Sequence, residues 1–162
     1  MTEKSKAEKP NPVFRTIEKV SLIGTMAVYG SHGEASQGIP NQWREFRSAH
    51  PELSGSAKLY GASPCTDDGK IHYLAGVAQE SPESRMTGEP LTLAAGEYAV
   101  VRVDDAALLG DTWVWLLGSW LAASGRREKH APEFERYTSI SEAGTPIGPV
   151  EVWIPLEPMT ES

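Results

Sequence analysis

The sequence predicts an α+β fold in which a strand-helix-strand-strand unit occurs twice and forms one antiparallel sheet with two helices on one face. Three observations support this fold. Several short segments alternate apolar and polar residues, as half-buried strands do. Two other segments repeat apolar residues at helical spacing. Turn signals separate the segments. Two such units leave either the other face of the sheet or the groove between the halves free for a ligand.

The first unit begins with residues 13–29, which are rich in apolar and β-branched residues. They predict one long strand, bent at Gly24. Residues 30–38, GSHGEASQG, predict a glycine-rich loop that lacks the Lys-Ser/Thr of a phosphate loop. A helix with Pro40 in its first turn should follow and end near His50. Its apolar stripe is Ile39, Trp43 and Phe46.

A hairpin completes the first unit. Residues 57–63 and 70–79 predict its two strands, and Asp68-Gly69 between them is a strong turn signal. Residues 80–90 are polar and rich in turn formers, so they predict a loop or linker.

The second unit begins with residues 91–103, of which the last seven predict a strand. Asp104 or Asp105 can cap the next helix, and Gly125 can terminate it. Trp115 is expected roughly opposite the apolar stripe of this helix. The stripe consists of Leu109, Trp113, Leu116, Leu117, Trp120 and Leu121. Residues 133–140 and 149–157 predict the last two strands.

The stretch APEFERYT, residues 131–138, poses a question about one acidic residue. Along a strand, Phe134 and Arg136 point one way, while Glu133, Glu135 and Tyr137 point the other. If the face of Phe134 is the core, Glu135 is a solvated surface acid. If Tyr137 points inward, Glu135 is buried with it, and a buried carboxylate requires a partner.

Composition narrows the possible partners. The net charge of −7 argues against direct binding of nucleic acid and favours cationic small ligands. Cys65 is the single cysteine, so no intrachain disulfide can form and a cytoplasmic location is expected. No apolar run is expected to span a membrane. We expect tails over residues 1–12 and 158–162 and a single domain over 13–157.

The sequence gives little support for a metal site or for a nucleophilic catalytic site. The four histidines are scattered without metal-ligand spacing, so we expect no metal site and no cofactor. Ser31, His32 and Glu34 contain the residue types of a nucleophilic site. Neighbours on one loop rarely adopt triad geometry, so we expect no such site.

Seven stretches in a fixed order resemble one known family. They are IPNQWREF (39–46), LYG (59–61), HYLAGV (72–77), LAAGEYAVVRV (93–103), GSWLAASG (118–125), FERY (134–137) and VEVWIPL (150–156). Together they resemble the gyrase-inhibitor-like (GyrI-like) small-molecule-binding domain. The same domain forms the effector-binding half of many AraC-type and MerR-type multidrug regulators. The resemblance implies the duplicated fold predicted above.

The resemblance also implies a pocket of aromatic side chains around a carboxylate, suited to bulky cationic or amphipathic molecules. The family's Phe-Glu-x-Tyr pattern matches Phe134, Glu135 and Tyr137, so the pocket glutamate is expected at Glu135. The candidate ligand-binding residues are Glu135, Tyr137, Tyr73, Trp43, Trp113, Trp115, Trp120 and Phe134. From sequence alone, the tryptophans on the helical stripes are also expected to pack in the core.

Three functions remain open. The favoured one is a stand-alone small-molecule-binding protein. The second is a hydrolase of strained cyclopropane-type electrophiles, in which Glu135 and Tyr137 would be catalytic, with Tyr73 as a further candidate proton donor. The third is inhibition of DNA gyrase or another protein interaction, for which the family gives a precedent.

Overall fold

The computed structural model describes residues 11–51, 59–79 and 88–159, which form one eight-stranded antiparallel sheet with helices. The strands are β1 (Val13–Ile17), β2 (Val20–Tyr29), β3 (Leu59–Ser63), β4 (Ile71–Ala78), β5 (Glu89–Leu93), β6 (Gly96–Val103), β7 (Glu133–Ile140) and β8 (Pro146–Pro155). The predicted α+β class is therefore confirmed. Residues 1–10 and 160–162 of the predicted tails, and 80–87 of the predicted loop, lie outside the described residues.

Two helical segments connect the strands. The first is α1 (His32–Ala49). The second helical segment, Ala106–Ser124, changes its helical type along its length. It consists of a 3-10 turn (Ala106–Leu108), α2 (Leu109–Trp115), a π-helical stretch (Leu116–Trp120) and α3 (Leu121–Ser124).

The strand order shows the duplication directly. Across the sheet the order is β1-β6-β8-β7-β3-β4-β2-β5. One unit contributes β2, β4 and β3, the other contributes β6, β8 and β7, and the units meet where β3 pairs with β7. The strand that precedes each unit pairs with the other unit: β1 pairs with β6, and β5 pairs with β2. The two halves are thus interlocked through exchanged edge strands.

Both faces of the sheet carry buried apolar clusters. On one face, Trp43 and Phe46 of α1 pack on β3, β4, β7 and β8, and Leu116 of the second helical segment packs on β6 and β8. The other face carries a separate cluster that includes Tyr60, Tyr98, Phe134 and Trp153. Both helical segments therefore lie on one face, as predicted. The opposite face is filled by side chains, which leaves the groove between the helices for a ligand.

The prediction for residues 30–38 was wrong, because most of this stretch forms the first turns of α1. Ser31 is the N-cap, and its hydroxyl accepts a hydrogen bond from the backbone N–H of Glu34 at 3.1 Å. The Glu34 carboxylate in turn accepts from the backbone N–H of Gly30 at 2.8 Å. The arrangement is similar to a capping box, except that Glu34 accepts from the backbone N–H of the residue before the N-cap. Ser31 and Glu34 thus have a structural role, and Pro40 lies inside the helix.

The first strand is also divided differently from the prediction. Residues 18–19 separate β1 from β2, so the predicted strand is interrupted there. Gly24, where a bend was predicted, lies within β2. A Cβ at Gly24 would lie 2.1 Å from the carbonyl oxygen of Ala75, so glycine is required by the close approach of β4. Strand β5 was not predicted, because it is short, contains Pro90 and begins within a stretch rich in turn-forming residues.

The predicted stripe of the second helical segment is only partly correct. Asp105 caps its start through the backbone N–H of Ala107, and Gly125 ends it with φ of 77°. Trp115, predicted on the opposite side, packs with Trp113 and Trp120 against the sheet cluster around Leu116. Thr112, three residues before Trp115 and also outside the predicted stripe, is buried, so the inward face of α2 extends farther toward Trp115 than predicted.

The second helical segment also contradicts the expectation that no apolar run could span a membrane. Its 19 residues have a mean hydropathy of 1.2, which suffices by length and composition for a membrane-spanning helix. In the structure most residues of this helix are half-buried or exposed, and Thr112 and Leu116 are the two buried ones.

Candidate functional site

A cavity of about 710 Å³ opens between α1 and the second helical segment, above the central strands. This volume lies in the usual range for sites that bind drug-sized molecules. The floor includes Gly61, Tyr73, Glu133 and Glu135 of β3, β4 and β7. One wall comes from α1 and the other from the second helical segment. These walls include Ala35, Ile39, Gly110, Trp113, Val114 and Leu117.

Glu135 is anchored at the floor by two hydrogen bonds, one to each carboxylate oxygen. It lies on β7, where its backbone pairs with Gly61 on one side and Val152 on the other. The indole Nε1 of Trp113 donates to its Oε2 at 2.6 Å, and the Tyr137 hydroxyl donates to its Oε1. Both oxygens accept hydrogen bonds, which is the pattern that an ionised carboxylate requires.

A chain of hydrogen bonds continues from Glu135 into the core. Because the Tyr137 hydroxyl donates its hydrogen bond to Glu135, its oxygen can accept one from the Tyr73 hydroxyl, which lies 3.2 Å away. The indole Nε1 of Trp43 donates to the Tyr73 hydroxyl at 2.9 Å. These donors point in one direction, toward the Glu135 carboxylate. The network therefore delivers hydrogen bonds to negative charge at the cavity floor.

Gly61 makes room for this network. A Cβ at this position would lie 1.9 Å from the Tyr73 hydroxyl oxygen. The Tyr73 side chain crosses the place where a larger residue on β3 would stand. The glycine directly opposite Glu135 is thus a requirement of the site's geometry.

Burial shifts the pKa of each titratable group in the network upward. Desolvation raises the pKa of Glu135, and the hydrogen bonds from Tyr137 and Trp113 oppose that rise. Desolvation and the nearby Glu135 charge raise the pKa of both Tyr73 and Tyr137. Both tyrosines consequently remain protonated donors throughout the physiological pH range.

A second acid lies beside Glu135 and was missing from the predicted site. Glu133 is two residues earlier on β7 and lines the same cavity, together with Glu128. Burial raises its pKa to about 8, helped by a hydrogen bond with Glu128 and by the charges of Glu128 and Glu135. The strand alternation had already placed Glu133 on the face of Glu135. Its partner was hidden because Glu128 comes from the connection before the strand.

The structure brings only part of the predicted site together. Tyr73, Trp113, Phe134 and Glu135 line the cavity, and Tyr137 contacts Glu135 from beneath. Trp43 is only 1% exposed and reaches the site through its contacts with Tyr73 and Tyr137.

Trp115 and Trp120 lie away from the cavity lining, against the cluster under the second helical segment. Trp115 is the last residue of α2, and Trp120 is the last residue of the π-helical stretch that follows. Trp120 also packs near Phe14 of β1, with ring centroids 6.2 Å apart.

The direction of Phe134 answers the question posed by APEFERYT. Its ring lies on the opposite face, stacked on Trp153 at a centroid distance of 5.2 Å, although the residue borders the cavity. Tyr137 packs beneath α1 against Trp43 at 5.4 Å. Both faces of β7 are therefore buried, and Glu135 shares the inward face of Tyr137.

Within residues 11–51, 59–79 and 88–159, no group of three or more His, Cys, Asp or Glu side chains could hold a metal ion. Cys65 borders the cavity, where its thiol donates to the Ala131 carbonyl at 3.2 Å. Burial raises the pKa of this thiol, so the geometry gives it no activated thiolate.

Comparison with solved structures supports the fold. The structure of SAV2435 bound to tetraphenylphosphonium has a TM-score of 0.70 and 20% identity, covering 90% of this chain and 93% of that chain. A putative bacterial transcription regulation protein from Staphylococcus aureus has a TM-score of 0.67 and 19% identity, covering 92% and 99%. The EcmrR C-terminal domain has a TM-score of 0.61 and 12% identity, covering 94% and 100%.

No curated protein matches this sequence. The family described as GyrI-like small molecule binding domain matches residues 10–157, nearly the whole chain. This match agrees with the duplicated fold and with the resemblance found in the sequence. The chain belongs to the GyrI-like small-molecule-binding domain family.

Proposed function

We propose that this protein binds bulky organic cations with apolar bodies in the cavity between its helices, with Glu135 as the counter-charge. The observation that carries this proposal is the Glu135 carboxylate, held by Trp113 and Tyr137 at the floor of a cavity of about 710 Å³.

The electrostatics of the floor favour a cation. The described cavity lining contains three glutamates and one lysine, Lys70. Burial already raises the pKa of Glu135, which means that its ionised form lacks part of the stabilisation that water provides. A cation in the cavity would supply that stabilisation through Coulomb attraction at reduced dielectric. The Trp113 and Tyr73 rings can add cation–π contacts.

The known neighbour supports the same class of ligand. SAV2435 shares the fold and was solved with tetraphenylphosphonium, a bulky monovalent cation. In the present protein, the exposed apolar side chains Val114 and Leu117 border the cavity, at 74% and 36% exposure. They offer contact area for the phenyl rings of such a ligand.

Calorimetric titration with tetraphenylphosphonium tests the proposal. We expect saturable binding that weakens at least about tenfold in Glu135→Gln, because the variant keeps the shape and removes the counter-charge. Glu142→Gln is the matched control, since Glu142 is exposed in the turn between β7 and β8. Equal affinities in wild type and Glu135→Gln would overturn the role of Glu135.

Tetraphenylborate separates charge recognition from shape recognition. It has nearly the same shape as tetraphenylphosphonium and the opposite charge. We expect it to bind more weakly than the phosphonium to the wild type, and Glu135→Gln should reduce this discrimination. A stronger response to the borate would contradict the proposal of a cation site.

The hydroxyl chain supports hydrolysis of a strained ring as a second candidate function. Tyr137 donates to Glu135 and adjoins Tyr73, so a general base and proton donors stand together. Incubation with a cyclopropane-bearing alkylating compound, followed by mass spectrometry, would reveal the hydrated product. Product formation that Glu135→Gln abolishes would support turnover, and no product above that variant's background would exclude it for the compound.

A further inference from the structure

The cavity contains an acid pair separate from the Glu135 anchor. Glu133 and Glu128 share a hydrogen bond and both line the cavity. Glu128 is placed there by an isolated β-bridge to Leu156, next to the end of β8. Glu133 in turn pairs with Ser63 of β3, and the hydrogen bonds that hold Glu135 come from other residues.

The pair holds a proton that a ligand could replace. Burial, the contact with Glu128 and the charge of Glu135 raise the pKa of Glu133 to about 8. Three acids in one cavity consequently keep one of them protonated at neutral pH. A positive group placed beside the pair would favour the ionised form and release this proton.

We propose that Glu133 and Glu128 form a second cation subsite, so that preferred ligands carry two positive centres joined by an apolar bridge. The inference rests on the proposed binding of cations at Glu135. Residues two positions apart on a strand, such as Glu133 and Glu135, are separated by about 6–7 Å. The two positive centres of the ligand should have a similar separation. The apolar bridge would lie against Val114 and Leu117 of the second helical segment, which border the cavity.

Other titratable groups border the same cavity and belong to the charge balance of this subsite. Besides the three glutamates and Tyr73, they are His32, Cys65, Lys70, His72 and His130. Lys70 is the one permanent cation in the described lining, and Asp68 lies within 2.8 Å of His72. The three glutamates of the described lining therefore outnumber its single lysine.

Ethidium and propidium are a matched pair of probes. Both carry the same phenanthridinium ring, and propidium adds a quaternary ammonium on a propyl chain. We expect propidium to bind about tenfold more tightly than ethidium, because a second ion pair in a partly desolvated cavity provides that order of energy. In Glu133→Gln this preference should fall below about threefold, because the variant removes the second counter-charge.

Controls and a second readout separate this role from a structural one. Glu142→Gln removes one exposed negative charge and should retain the full preference for propidium. At pH 7, calorimetry in two buffers of different ionisation enthalpy should show greater proton release with propidium than with ethidium. Glu133→Gln should abolish the difference. If Glu133→Gln does not fold, Glu128→Gln provides the same comparison.

The outcomes separate this inference from the proposed function. If ethidium, propidium and tetraphenylphosphonium all fail to bind, the proposed cation-binding function fails and the subsite with it. If the dyes bind with equal affinity and Glu133→Gln leaves both unchanged, the second subsite is refuted while the anchor at Glu135 stands.

Discussion

Helix α1 and the second helical segment face each other across the cavity, and they are attached to the sheet in different ways. Gln42 of α1 donates to the carbonyls of Thr25 and Tyr73 and accepts from the Tyr29 hydroxyl. Trp43 and Phe46 of the same helix are almost fully buried. The first wall is thus held by both apolar packing and a satisfied polar anchor.

The second wall has fewer buried residues. In the second helical segment only Thr112 and Leu116 are buried, while Leu108, Val114 and Leu117 are exposed apolar residues. The segment also changes from 3-10 to α to π geometry. A cavity with one fixed wall and one weakly packed wall can accept ligands of different widths, while Tyr137 beneath α1 keeps its hydrogen bond to Glu135.

Truncating a tryptophan on each wall should give the largest contrast. We expect Trp43→Ala to lower the free energy of unfolding by about 3–5 kcal/mol, because it opens a cavity in the core and removes the hydrogen bond to Tyr73. Trp120→Ala, on the half-buried side, should lower it by about 1–2 kcal/mol. Urea denaturation measures both. Equal losses would mean that the two walls are equally well packed.

Alanine at two glycines compares the free space at the cavity floor, at Gly61, with that on the second wall, at Gly110. Gly61→Ala should lower the free energy of unfolding by about 3 kcal/mol and displace Tyr73, because its Cβ would collide with the hydroxyl. Gly110→Ala, where nothing lies within 4 Å, should be neutral or stabilise α2 by up to about 1 kcal/mol. Thermal denaturation compares them, and a stable Gly61→Ala would contradict the tight packing around Tyr73.

The pH dependence of stability tests the acid beside the fixed floor. The pKa of Glu133 is higher in the folded state than its unfolded value, so folding binds a proton. Its stabilising contribution is present below about pH 4.5 and is lost as pH rises through about 8. Glu133→Gln mimics the protonated acid. It should be more stable than wild type by on the order of 1–2 kcal/mol above pH 8 and similar to it near pH 4.

Val114→Ala should have the smallest effect on stability. Because Val114 is 74% exposed, we expect the free energy of unfolding to change by less than about 0.5 kcal/mol. The affinity for tetraphenylphosphonium should nevertheless fall about threefold, since part of the lost apolar contact is made only with ligand. Unchanged affinity would place the ligand away from the second wall.

Strand alternation and helical spacing were enough to predict β7, β8, the β3–β4 hairpin and the place of Glu135 beside Tyr137. These patterns are local and survive in the folded chain. Three other features could not be predicted from these local patterns. The start of α1 depends on the hydrogen bonds made by Ser31 and Glu34 inside a glycine-rich stretch, which the count of glycines obscured. The position of Trp115 depends on an inward face of α2 that is wider than the predicted stripe, and the acid pair depends on a contact between Glu128 and Glu133 that no periodicity encodes.

The exchanged edge strands restrict how such a protein can be taken apart. Strand β1 pairs with β6 of the second unit, and β5 pairs with β2 of the first unit. If the chain were cut between the units, each fragment would therefore contain one strand without its partner. Separate fragments would present open sheet edges and tend to aggregate. Expressed together, they would have reason to reassemble, because only the pair restores every strand to its neighbour. We therefore expect the two halves to unfold together as one cooperative unit.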